Sequence, residues 1–230
     1  MITFKEFIIN FTNIKHRIER ACKESGRAVS EVKLLPVTKT HPVDAIKYAA
    51  QVGLTSAGEN RVQEVKAKKP LYKGNCSWEL IGHLQSNKVN EAVSLFDRIQ
   101  SVDSLKLIQK LNSACEVSGK VLPIFLQCNA GEDPNKYGFN EASMSEALEM
   151  VLSSAFLKCE GLMTIAPLDH NPSSTKACFE KLRMIRDSLV SEFKIELNDL
   201  SMGMTQDLEE AITAGSTLIR VGSALYGSRA

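Results

Sequence analysis

From Phe4 to about Ser25 apolar residues return every three or four positions (Phe4, Phe7, Ile8, Phe11, Ile14, Ile18, Ala21 and Cys22), and Gly26 follows. This spacing predicts an amphipathic helix with a glycine stop. Beyond it the period changes. Short apolar runs of strand character at 32–38, 54–58, 78–82, 97–102, 121–129, 157–165, 196–203 and 217–222 alternate with stretches of helical period at 43–53, 60–68, 87–96, 105–119, 143–154, 174–193 and 205–215. Only SALYGSRA follows the last strand.

Regular alternation of strand and helix specifies a parallel sheet, because each helix is the crossover that returns the chain to the same edge. Eight such units predict a closed (β/α)8 TIM barrel with an extra N-terminal helix; a doubly wound open sheet is the alternative. No helix is predicted after the eighth strand, so the N-terminal helix is expected to cover the seam between strands eight and one. With no linker, low-complexity tract or internal repeat, the chain reads as one domain over 1–230. The two longest polar loops, AGEDPNKYGF (130–139) and APLDHNPSSTKA (166–177), follow the fifth and sixth strands, where lids sit.

Composition narrows the function. A hydrophobic fraction of 43% is ample for such a core, and 28 Lys plus Arg against 27 Asp plus Glu leave a net charge of +1. That balance draws the protein neither to nucleic acid nor to an anionic membrane. The start, MITFKEFIINF, lacks the basic segment and small-residue cleavage site of a signal peptide, and no apolar run approaches membrane-spanning length. Six scattered cysteines without a CxxC pair argue against a zinc site or a disulfide framework, and a reducing cytoplasm is the expected location.

Lys39 stands directly after the apolar run LLPVT. Burying an ammonium is costly, so an amine here needs a partner or a purpose. Desolvation lowers a lysine's pKa and yields the neutral amine that condenses with an aldehyde to a Schiff base. The plain alternative is a lysine that snorkels past the strand end into water. In a barrel, the loops after the strands all open on one face, so the strand ends belong together. There the sequence places Asn60, His83, Met163, Ser201, Arg220, Gly222 and Ser223. Each has a plainer reading as well: Asn60 with Gln63 resembles a helix cap, His83 a packed loop residue, and Ser201 with Gly203 a turn. Gly222 and Ser223 suit an anion, since glycine admits backbone N–H groups and serine adds a donor. Arg220 inside an apolar strand cannot shed its charge and needs acceptors.

The segments VTKTHP (37–42), GENRVQE (58–64), WELIGHLQSNK (78–88), GLMTIAP (161–167), LSMGMTQDLEEAI (200–212) and IRVGSALYG (219–227) resemble, in order, those of the pyridoxal phosphate homeostasis protein family. The resemblance spans nearly the whole chain and implies the barrel of alanine racemase standing alone, with pyridoxal 5'-phosphate as cofactor. It makes Lys39 the cofactor lysine, gives the phosphate to Ser201, Gly222 and Ser223, sets Arg220 against the pyridine nitrogen, and carries over Asn60 and Met163 as wall residues. Lys136, in the loop after strand five, is the fallback amine. Ala57 stands where an aromatic is common and Thr205 where serine is frequent. The implied function is vitamin B6 homeostasis, the cofactor being held for storage or for delivery to apoenzymes; the alternative is a weak amino-acid racemase. An arginine at the ring nitrogen disfavours its protonation and mutes the electron sink that carbanion chemistry needs. The resemblance assigns a racemase's second base to a tyrosine on an additional domain, whereas Tyr137 and Tyr226 here read as packing residues. A monomer is expected.

Overall fold

The computed structural model describes residues 1–167 and 171–227; the loop 166–177 is therefore described except at 168–170, and the tail up to Gly227. Helix α1 (Phe4–Glu24) leads into eight strands, β1 (Lys33–Pro36), β2 (Ser56–Glu59), β3 (Ser77–Leu80), β4 (Arg98–Val102), β5 (Leu122–Gln127), β6 (Leu157–Met163), β7 (Asp199–Ser201) and β8 (Leu218–Val221). Between them lie α2 (Asp44–Gln51), α3 (Val62–Lys68), α4 (Val89–Leu95), α5 (Leu105–Ser118), α6 (Met144–Leu152), α7 (Pro172–Phe193) and α8 (Leu208–Thr213). Among the described residues no helix is long and apolar enough to cross a membrane.

Neighbouring strands pair in parallel in the order β1-β8-β7-β6-β5-β4-β3-β2. The ends of that row meet. Val37 bridges Gly58, and the Thr38 N–H donates to the Gly58 carbonyl at 3.0 Å. The expected barrel is closed, and the open doubly wound sheet is excluded. Closure is thin at this point: one bridge joins β1 to β2, whereas β1 and β8 share a register from Lys33 with Leu218 to Pro36 with Val221.

Local chemistry sets the ends. Thr3 and Glu6 form a reciprocal cap at the start of α1, and Gly119, at φ 65°, ends α5 in the left-handed conformation that suits glycine. Helix α7 begins before the apolar period does, because the Asn171 side chain accepts from the Ser173 N–H at 3.0 Å and Pro172 takes the first helical position. After β8 the chain makes a single helical turn not expected from the sequence, α9 (Ser223–Tyr226). Helix α1 covers the seam there. Phe7 stacks on Tyr226 at 5.4 Å, Asn10 Nδ2 donates to the Leu225 carbonyl at 3.1 Å, and Arg17 pairs with Glu209 at 2.6 Å.

Alternate strand residues face the barrel interior. Leu35, Phe125, Met163 and Leu218 form an apolar plug backed by Ile81 and Ile165, separate from the larger core between sheet and helices. At the end of β7 Gly203 has φ 94°, and a Cβ there would lie 2.4 Å from the Ala211 Cβ. Only glycine lets the chain turn from β7 towards α8 at that spacing.

Candidate functional site

A cavity of about 490 Å³ opens among the loops that follow β1, β6, β7 and β8. Lys39 and His41 reach it from the turn after β1, Arg220 from β8 itself, and Gly222 with Ser223 from the chain just beyond. Residues 204–207 close the side towards β7, and Ala166 with Pro167 the side towards β6. The volume suits a small organic ligand.

Arg220 is buried and held from behind. Its Nη1 donates to Ser201 Oγ at 2.7 Å and its Nη2 to the Thr164 carbonyl at 2.9 Å. Neither bond uses Nε, so the side chain meets the cavity with a donor in hand. Burial pushes the guanidinium pKa down to about 10 against the pull of Asp207, which leaves it protonated at neutral pH. Ser201 Oγ in turn donates to Gln100 Oε1 at 2.5 Å, and Gln100 Nε2 donates to Glu79 Oε2 at 2.6 Å. Glu79, whose pKa burial raises, faces Arg98 at 3.5 Å, and Arg98 reaches Glu160 at 2.8 Å. A continuous polar chain therefore crosses the barrel interior and ends on the guanidinium at the cavity.

 Asp207 and Glu210 line one side of the cavity, and Asp207 Oδ1 accepts from the Met204 N–H at 2.5 Å, so that side is already supplied with negative charge. Two residues before Asp207, Thr205 Oγ1 lies 3.3 Å from Ser223 Oγ, which brings two hydroxyls together. A Cβ on Gly222 would meet the Val37 carbonyl oxygen at 3.2 Å, so glycine lets the end of β8 run close beside β1.

Lys39 is half-buried in a turn closed by the His41 N–H, which donates to the Thr38 carbonyl at 3.1 Å. Thr40 beside it has φ 66°, a left-handed conformation uncommon for a β-branched residue. The turn is braced from β2 and α3. Thr38 Oγ1 donates to Glu59 Oε1 at 2.6 Å, Lys68 Nζ donates to the Thr38 carbonyl at 2.8 Å, and the Thr40 N–H donates to Glu64 Oε2 at 2.6 Å. Lys68 also pairs with Glu59 at 2.7 Å and with Glu64 at 3.3 Å. Burial raises the Glu59 carboxyl to about 7 against the opposing charge of Lys68, and Glu59 Oε2 is buried without a hydrogen-bond partner among the described residues.

Of the residues singled out from the sequence, Lys39, Arg220, Gly222 and Ser223 meet at this one cavity. Ser201 does not line it. Its side chain points into the barrel and is fully buried between Arg220 and Gln100. Met163 is likewise fully buried, in the apolar plug. Asn60 lines a neighbouring depression of about 520 Å³ with Arg61, Gln63, His83 and Lys88. Lys136 Nζ donates to the carbonyls of Ile165 and Ala166, which ties the loop after β5 to the loop after β6. His83 stacks on Tyr137 at 3.9 Å with its Nδ1 2.6 Å from Asp103, and the buried Tyr226 hydroxyl donates to the Ala45 carbonyl at 3.1 Å. Sequence reasoning missed His41, Gln100 and Thr164. Gln100 left a signal, a polar residue inside the apolar run RIQSV.

Residues 9–230 match the family described as alanine racemase, N-terminal domain. The pyridoxal phosphate homeostasis protein of Aquifex aeolicus is 36% identical over 219 residues, which cover 95% of this chain and 96% of that one. The structure of PipY from Synechococcus elongatus with PLP bound superposes with a TM-score of 0.81 at 34% identity, covering 92% of this chain and 100% of that one. An alanine racemase from Clostridium difficile shares the fold, with a TM-score of 0.81 at 15% identity over 98% of this chain and 57% of its own.

Proposed function

Because the chain belongs to the pyridoxal phosphate homeostasis protein family, we propose that its cavity takes pyridoxal 5'-phosphate, with Lys39 capturing the aldehyde. Gly222 and Ser223 receive the phosphate, and Arg220 faces the pyridine nitrogen. The convergence of these four residues on one cavity carries the reading. The donor set suits the group: an amine for the aldehyde, paired hydroxyls beside a glycine for the phosphate, and a guanidinium with Nε open for the ring nitrogen.

When bound, the cofactor supplies an electrophilic aldehyde and, with a protonated ring, an electron sink. The residues here support the first and oppose the second. Arg220 stays charged at neutral pH and can only donate, so it cannot accept a hydrogen bond from a protonated ring nitrogen, and Ser201 with the Thr164 carbonyl fixes its plane. Ser201 therefore serves the site through Arg220, Met163 forms part of the floor beneath it, and Asn60 contributes from the adjoining depression.

We read the protein as a holder of the cofactor in vitamin B6 homeostasis, a cytoplasmic, single-domain monomer that stores it or passes it to apoenzymes, and not as a racemase. Neither tyrosine considered as a second base lines the cavity: Tyr226 is committed to the Ala45 carbonyl, and Tyr137 stacks on His83. The test is an absorbance spectrum of the purified protein before and after borohydride reduction, with peptide mapping of the reduced adduct and a parallel assay for alanine racemisation. The expected result is one adduct on Lys39 and racemisation no faster than with free cofactor. Sustained racemisation above that level refutes the holder reading, and an adduct confined to Lys136 refutes the assignment of the amine.

A further inference from the structure

We infer that Glu59, Glu64 and Lys68 are positioning residues that set the Thr38–His41 turn and thereby aim the Lys39 amine at the cavity. This inference rests on the reading of Lys39 as the capturing amine.

The seam between β1 and β2 has little backbone pairing to hold it: among the described residues the Val37–Gly58 bridge, with its Thr38 N–H bond, is the pairing that crosses it. Lys39 lies just past the point where that pairing stops. Side chains take over there. Thr38, on one side of Lys39, is fixed through both its hydroxyl and its carbonyl, and Thr40, on the other, through its N–H. All three bonds end on one charged cluster, in which Lys68 links the two glutamates.

The backbone at Thr40 shows what the cluster has to oppose. A threonine at φ 66° sits in a sparsely populated conformation that persists only where its surroundings impose it. Glu64 Oε2, accepting from the Thr40 N–H at 2.6 Å, is the group that imposes it directly. Burial alone would raise the Glu64 pKa, but the Thr40 N–H and the Lys68 charge hold it below its usual value, so the acceptor is ionised at neutral pH. Glu59 is fully buried and Lys68 nearly so, at 0% and 8% exposure, an expensive placement for two ionisable residues. A buried ion pair is weak as a device for stability, whereas fixing the orientation of a neighbouring functional group is a use that accounts for it.

The experiment separates aiming from folding. Two variants, Glu64→Ala and Glu64→Gln, are titrated with pyridoxal 5'-phosphate by absorbance. In parallel, Lys39 is reductively methylated with formaldehyde, a probe small enough to need no aim, with the exposed Lys15 as internal reference. Loss of the charge-assisted bond in Glu64→Ala should weaken pyridoxal 5'-phosphate capture about tenfold. Methylation of Lys39 relative to Lys15 should stay the same or rise. Glu64→Gln keeps an acceptor for the Thr40 N–H and should recover most of the capture. Unchanged capture in Glu64→Ala overturns the inference, as does a Glu64→Gln variant no better than alanine, or a fall in Lys39 methylation that matches the loss of capture. If the wild-type protein forms no adduct on Lys39, the proposed function fails instead, and the two failures are told apart by that control.

Discussion

Replacing Glu59 by glutamine isolates the titration of one buried carboxyl. Its Oε1 accepts from Thr38 and Lys68, its Oε2 has no partner among the described residues, and burial lifts its pKa from 4.5 to about 7 despite Lys68. A raised pKa means that the folded protein holds this proton more tightly than the unfolded chain. The group's contribution to stability is therefore complete below pH 4.5 and is lost as the pH climbs to about 7. At about 1.36 kcal/mol per pH unit, the loss across that window is about 3 kcal/mol. Glutamine keeps the acceptor and cannot ionise, so its stability lacks this slope. Carboxylates held low elsewhere, such as Glu6 and Glu209, act with the opposite sign but are present in both proteins and cancel in the difference. Urea unfolding of both proteins, at intervals from about pH 4.5 to about pH 8, should show the wild type losing about 3 kcal/mol relative to Glu59→Gln. A flat difference refutes the reasoning. A difference of the opposite sign would mean an ionised Glu59 held below its ordinary pKa by Lys68.

Lys39→Ala should abolish the borohydride-fixed adduct while leaving thermal melting unchanged, because the lysine belongs to a half-buried turn and not to the core. Ser201→Ala and Ser223→Ala should diverge. The first strands buried groups of Arg220 and Gln100 and should cost about 1–3 kcal/mol in urea unfolding without cofactor. The second alters only an exposed contact with Thr205 and should leave that stability alone while weakening retention of pyridoxal 5'-phosphate in dialysis. Gly203→Ala places a Cβ 2.4 Å from that of Ala211 at a φ of 94°, and should destabilise by about 3 kcal/mol or more in the same unfolding assay.

The barrel was legible because its signal is repeated eight times and needs only the order of elements. Boundaries were less so. The run 196–203 looks like a long strand, yet only Asp199–Ser201 is strand, and the left-handed Gly203 turns the chain at a point that apolar content does not mark. Lys39, Arg220, Gly222 and Ser223 stood out as charges or small residues where an apolar strand ends, and such contrasts survive folding. Ser201 shows the limit. That it ends a strand is visible, but how deep its side chain lies depends on the stagger between β7 and β8, where Ser201 registers with Leu218. The Glu59–Lys68 pair was hidden for a similar reason: nine residues separate them, a spacing that matches no pairing rule of helix or strand, and a turn between β2 and α3 brings them together.

The pairing of β1 with β8 also bears on when the molecule can first bind anything. Lys33 sits opposite Leu218, so the two sides of the cavity come from segments far apart in sequence. During synthesis Lys39 leaves the ribosome well before Arg220, Gly222 and Ser223, which lie far downstream in the sequence. Joining segments so far apart in sequence is an entropically late step, taken once the intervening strands have paired. A nascent chain thus carries the reactive lysine without the groups that would hold a ligand beside it, and ligand can stabilise only the finished barrel. Refolding followed by pyridoxal 5'-phosphate absorbance should accordingly lag behind the recovery of helical circular dichroism.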